Sequence, residues 1–161
     1  MSDLDAIADE IERFTEAGIR LKSGEELEAD IIVTATGLQL VTIGDMDFAV
    51  DGQPVDFSKT WTYKGIAYSD VPNMASSFGY INASWTLRAD LTAEYVCRVL
   101  NRMDELGVQQ VTPRLRSEDE GMPTAPWIDG FDAGYMKRSM HLMAKQGTGP
   151  WRNTQNYALD K

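Results

Sequence analysis

Residues 29–37 read ADIIVTATG, and five of these nine residues are β-branched. β-Branched side chains lose χ1 freedom in a helix and pack well on a pleated sheet. A short apolar run of this kind, closed by a glycine, predicts a fully buried strand ending in a tight turn. Gly37 carries no Cβ, so a ligand can approach the backbone there. In open α/β sheets ligands gather outside the carboxyl ends of the strands. The loop from Gly37 to Leu40 is therefore the first candidate ligand position.

The clearest helix spans residues 84–106. Ser84 is its candidate N-cap. Leu87, Leu91, Tyr95, Val96 or Val99, and Met103 form its apolar face, and Gly107 stops it. A second helix is predicted over 129–146, with Phe131, Tyr135, Met136, Met140 and Met143 apolar and Gly147 at its end. Phe48 to Val50, Asp51-Gly52, and Gln53 to Val55 predict a hairpin, because Asp-Gly suits a type I′ turn. Residues 61–64 and 67–69 are aromatic-rich and read as irregular chain or short strand. Met74 to Phe78 reads as another buried strand, ending at Gly79. Val108 to Val111 is a candidate short strand, 117–126 an acidic loop, and the tail from Thr148 carries no strong pattern. At the other end, Leu4, Ile7, Ile11 and Phe14 fall at helical spacing behind Ser2, so periodicity alone predicts a helix there.

A chain of 161 residues suits one domain. Its net charge of −10 argues against nucleic acid or an anionic membrane surface as a partner. It does not oppose an anionic cofactor, because local backbone donors can outweigh the global field. The single cysteine, Cys97, allows no internal disulfide and fits a reducing cytoplasm; on a helix it reads as a small buried hydrophobe. No run approaches the roughly 20 apolar residues of a membrane span. The single histidine, His141, reads as a surface or packing residue, and no metal site is expected. Glu118, Asp119 and Glu120 read as a solvated charge run.

Three stretches in this order carry a family resemblance. ADIIVTATG, DVPNMASSFGYINASWTLRADLTAEYVCRVLNRMD (70–104) and PWIDGFDAGYMKRSMHLMAKQGTGPWRNTQNY (126–157) resemble the later part of class B flavin-dependent monooxygenases. These are the flavin-containing and Baeyer–Villiger enzymes. Complete enzymes of that family are much longer, so the resemblance implies a C-terminal part. The implied fold is α/β, the last portion of a flavoprotein with two Rossmann-like dinucleotide-binding domains, here an incomplete sheet with two main helices. Residues 1–107 would close the FAD/NAD(P)-binding domain and 108–161 would form a C-terminal cap. The resemblance also implies a strand over Ala6 to Phe14 in place of the helix, a turn at Glu16 to Gly18, a return strand from Ile19 to Leu21, and a further strand from Leu27 to Thr34.

Read from the residues alone, Ser84 is a cap and Trp85 is core. The first turn of a helix nevertheless offers unpaired N–H groups and a positive dipole end, which suit a phosphate or an electron-rich carbonyl edge. The resemblance implies that Asn82, Ser84, Trp85, Thr86 and Leu87 lie near the flavin. It implies that Thr36, Gly37 and Gln39 lie beside the dinucleotide. Trp127, Phe131 and Tyr135 are expected either to line the substrate site or to be ordinary core. No catalytic residue is assigned within the chain.

The implied reaction uses NADPH and FAD to insert one oxygen atom into a ketone or to oxidise a nitrogen or sulfur atom. Two glycine-rich G-x-G-x-x-G fingerprints should cradle the dinucleotide phosphates in such an enzyme, and neither occurs here. The chain is therefore expected to be inactive alone and to need an N-terminal dinucleotide-binding half as partner. The alternative is a non-catalytic module that associates with a flavoprotein through an exposed apolar patch.

Overall fold

The computed structural model describes residues 7–131 and 133–161. The chain forms two compact units, one ending at Gly37 and one running from Leu38 to Lys161.

The first unit is a three-stranded antiparallel sheet in the order β1 (Ile11–Phe14), β2 (Gly18–Leu21), β3 (Glu26–Glu28). Phe14 pairs with Ile19 and Ile11 with Leu21, with an irregularity between Ile11 and Arg13. Helical spacing at Ile11 and Phe14 is overridden because pairing with β2 satisfies the backbone groups that a helix would otherwise pair. Ser2, Leu4 and Ala6 lie outside the described residues. Leu21 is buried, and an Arg20–Glu26 ion pair of 2.9 Å spans β2 and β3.

The buried strand expected over Leu27 to Thr34 does not form. The ladder stops at Glu28, with one further bond from the Ala29 N–H to the Ala17 carbonyl at 2.9 Å. Ile31 and Val33 are 81% and 84% exposed. A buried strand needs a hydrogen-bonded neighbour and cover on its faces, and beyond β3 the described residues of this unit supply neither.

In the second unit β4 (Ala49–Val50) and β5 (Gln53–Pro54) form the expected hairpin. Asp51 and Gly52 have φ of 51° and 77°, the left-handed pair of a type I′ turn. β6 (Thr62–Tyr63) and β7 (Ala67–Tyr68) make a second short antiparallel pair. α1 (Trp85–Leu106) follows. It ends as expected: Gly107 takes φ 65°, its N–H reaches the Asp104 carbonyl at 3.1 Å, and the Val108 N–H reaches Met103 at 3.0 Å. The face turned inward holds Arg88 and Thr92 fully buried, with Leu91, Tyr95, Val96, Val99 and Met103 half-buried. Leu87 is exposed instead, and so is Cys97, which faces solvent rather than core.

Three further expectations are corrected. Met74 to Phe78 is extended, and Met74, Ser76 and Phe78 are half-buried while Ala75 and Ser77 are exposed. That is the alternation of a strand, but no ladder partner is present among the described residues. The helix expected over 129–146 is confined to α2 (Gly134–Ser139) and a 3-10 turn at Met140–Leu142. The chain then straightens because its backbone has better partners elsewhere. Lys145 exchanges bonds with Thr60 and Thr62 at 2.9 and 2.8 Å, and Gln146 with Ala125 at 3.0 and 2.8 Å. Val108 to Val111 is likewise not a strand, since Val111 is held by Asn73 through two 2.9 Å bonds.

The core joins Phe57, Tyr68, Val71, Trp127, Ile128, Met136 and Ala144, with Leu40, Phe48 and Phe78 packed against it. The tail forms a 3-10 turn at Gly149–Trp151 and ends in α3 (Tyr157–Asp160), capped by Asn156. These short strands and few helices make a small α/β arrangement. Among the described residues no helix is long and apolar enough to cross a membrane.

Candidate functional site

The loop that leads into α1 is built by close approach and by buried hydrogen bonds. Gly79 is buried, and a Cβ on it would overlap the Trp85 indole, so glycine lets the loop double back over the helix start. Tyr80 is 1% exposed, and its hydroxyl donates to Asp160 Oδ2 at 2.8 Å. The Ile81 N–H donates to Gln155 Oε1 at 3.0 Å. The Gln155 amide in turn donates to Asn153 Oδ1 at 3.2 Å, and the Asn153 amide to the Trp127 carbonyl at 2.9 Å.

Behind the loop sits the buried guanidinium of Arg88. It lies 5.2 Å from the centre of the Tyr80 ring, donates to the Lys64 carbonyl at 3.0 Å, and approaches Asp160 Oδ2 at 3.6 Å. Asp160 also accepts a hydrogen bond from the Thr154 hydroxyl. Burial, with the Asp160 carboxylate beside it, pushes the Tyr80 phenol up to about 12. Residues 153–160 thus brace the loop and the root of α1 from one side.

The other side is open. Asn82, Ser84, Trp85, Thr86 and Leu87 are all exposed. The Ser84 and Thr86 hydroxyls bond to each other at 2.7 Å, and no side chain caps the first turn of α1. Its leading backbone N–H groups are therefore left for solvent or an acceptor. The Trp85 ring, 57% exposed as a residue, packs on Phe78 at 4.9 Å, and Phe78 meets Trp127 edge-on at 4.6 Å. A row of three aromatic rings thus joins the helix start to buried Trp127. Phe131 and Tyr135 pair edge-on at 6.2 Å and pack against the core half-buried. Gln39 is exposed in the second unit; Thr36 and Gly37 are exposed in the first. His141 is exposed, and among the described residues no group of three His, Cys, Asp or Glu side chains could hold a metal.

The brace of Arg88, Asn153, Gln155 and Asp160 is what sequence reasoning missed. One signal pointed to it: Arg88 shares a stripe with Leu91, Thr92, Tyr95 and Val99, and a charge on an apolar stripe calls for a buried partner.

The chain is 50% identical over 157 residues to the FAD-containing monooxygenase EthA of Mycolicibacterium smegmatis, covering 97% of this chain and 31% of the relative. It is 47% identical over 154 residues to the probable FAD-binding monooxygenase AlmA of Acinetobacter baylyi, covering 95% and 30%. It is 44% identical over 158 residues to the putative FAD-containing monooxygenase MymA of Mycobacterium tuberculosis, covering 96% and 31%. No family model matches the chain, and no solved structure matches it significantly. The chain is homologous to FAD-containing monooxygenases over nearly all of its own length, and it spans about 31% of the length of these relatives.

Proposed function

We propose that this chain supplies the C-terminal portion of an NADPH- and FAD-dependent monooxygenase. Residues 1–107 close a Rossmann-like FAD/NAD(P)-binding domain and 108–161 form its cap, in the cytoplasm. The observation that carries the reading is identity of 44–50% across almost the whole chain to relatives that are each named for FAD.

The open face of α1 fits one part of that cofactor. The uncapped first turn at Trp85, Thr86 and Leu87 offers N–H donors to the polar edge of a flavin ring, and Asn82 and Ser84 flank it. Thr36, Gly37 and Gln39 border the dinucleotide. We assign Trp127, Phe131 and Tyr135 to the wall of the substrate site; buried Trp127 packs on Phe78, which in turn packs on Trp85 at the helix start. The pyrophosphate of the dinucleotides finds no G-x-G-x-x-G cradle in this sequence. It belongs to an N-terminal dinucleotide-binding half, the partner that this chain requires.

Bound FAD supplies the redox chemistry: NADPH provides two electrons, one oxygen atom of O2 enters a ketone or a nitrogen or sulfur centre, and the other leaves as water. The chain's own residues orient the flavin edge at the first turn of α1. The test is NADPH-dependent oxygenation of a ketone and of a thioether. The chain alone should be inactive; mixed with the N-terminal two-thirds of the smegmatis relative it should turn over. Turnover by the chain alone, or none with a folded complex, contradicts the proposal.

A further inference from the structure

Between the middle of α1 and the tail lies a cavity of about 460 Å³. Its charged lining is Lys64, Arg88, Arg98, Arg152 and Lys161, against the carboxylates of Glu94 and Asp160. This local excess of cations runs against a chain whose net charge is −10. Lys64 and Arg152 make no ion pair among the described residues, and Arg98 has only an exposed 3.6 Å partner in Glu94. Arg88 is the buried member, 3% exposed, and its Nη1 makes no hydrogen bond. The carboxylate nearest to that nitrogen is Asp160 at 3.6 Å, and Asp160 is shared with the Tyr80 hydroxyl. A buried guanidinium with an incompletely satisfied nitrogen is unfavourable unless further negative charge comes near.

We propose that this cavity binds a phosphate-bearing small molecule. A phosphate monoester brings close to two negative charges at neutral pH, which suits the cationic excess better than a single carboxylate. Ile66, Leu91, Pro150 and Leu159 supply apolar wall for the body of the molecule, and the volume falls in the usual range for small-ligand sites. The cavity starts at Arg88 and runs along the inward face of α1, so it is a different surface from the exposed first turn. The inference therefore stands or falls separately from the flavin reading.

The test is titration of the chain with AMP, inorganic phosphate and adenosine, followed by calorimetry and by amide shifts in nuclear magnetic resonance. AMP and phosphate should bind, with shifts at Lys64, Gly149 and Arg152, and adenosine should not. The exposed-rim double variant Lys64→Gln/Arg152→Gln should weaken AMP at least tenfold without loss of fold. Lys59→Gln, which does not line the cavity and is paired with Asp56, should leave it unchanged. Raising the salt concentration should weaken binding. Binding of AMP but not inorganic phosphate would still place the site if the same amides move and the rim variant weakens it. Failure of AMP to bind at low salt, equal binding by adenosine, or an unaffected rim variant overturns the proposal.

Discussion

The hydroxyl of Tyr80 donates a 2.8 Å hydrogen bond to the carboxylate of Asp160, joining the loop before α1 to the last helix of the chain. The same carboxylate faces buried Arg88 at 3.6 Å. Tyr80→Phe removes one bond and leaves the ion pair, so it should destabilise by about 1 kcal/mol. Asp160→Asn leaves a buried guanidinium without its counter-charge and should destabilise by about 3 kcal/mol. Urea denaturation of both variants checks the order; equal effects would contradict it.

Alkaline pH should unlock the same contact. The folded-state value for Tyr80 is raised to about 12, above the ordinary 10.0 of a tyrosine. A raised value means that the unfolded chain loses this proton first. The stabilisation is thus complete below about 10 and disappears as pH climbs through about 12. Ultraviolet titration should show Tyr80 as the most delayed of the six tyrosines, with Tyr68 and Tyr95 also raised by burial. Asp160→Asn should bring it back toward normal, because the carboxylate helps to hold the value up.

Two glycines are fixed by what stands next to them. A Cβ at Gly79 would overlap Trp85, and one at Gly65 would overlap Arg88 and Asn153 at a φ of 67° that disfavours other residues. Gly65→Ala should cost about 2 kcal/mol or more through combined strain and clash. Gly79→Ala should displace the indole and shift Trp85 emission, read against a Trp85→Phe background.

The features that the sequence made legible are local ones. α1 and its stop at Gly107, and the hairpin at Asp51-Gly52, depend on neighbours a few residues away, and both form as expected. The strands expected at Ile31 to Val33 and Met74 to Phe78 depend on ladder partners, which patterning cannot supply. Met74 to Phe78 keeps a strand's alternation without a sheet, and Ile31 and Val33 stay exposed. The brace around Tyr80 was hidden for a related reason. Asn153, Gln155 and Asp160 are unremarkable polar residues until the fold brings them to Trp127, Ile81 and Tyr80. Of the site, the start of the helix at Ser84 was visible; that Ser84 leaves the first turn uncapped, that Trp85 stands exposed rather than in the core, and the support behind it were not.

The exposed β-branched run gives its own test. Ile31→Thr and Val33→Thr remove side chains that are 81% and 84% exposed, so the chain's own stability should move by no more than about 0.5 kcal/mol. If the run is a sheet strand of the assembled flavoprotein, the same pair should weaken association with the N-terminal half. An unchanged affinity would remove the run from that interface.

The most direct measurement is a titration with FAD, followed by quenching of flavin fluorescence, on the chain alone and on the chain mixed with the N-terminal two-thirds of the smegmatis relative. The chain alone should show no saturable binding and the mixture stoichiometric binding, weakened when Thr86 and Leu87 at the start of α1 are replaced by proline. Tight binding by the chain alone would contradict the assignment of the phosphates to the missing half. Absence of binding in a folded complex would contradict the flavoprotein reading itself.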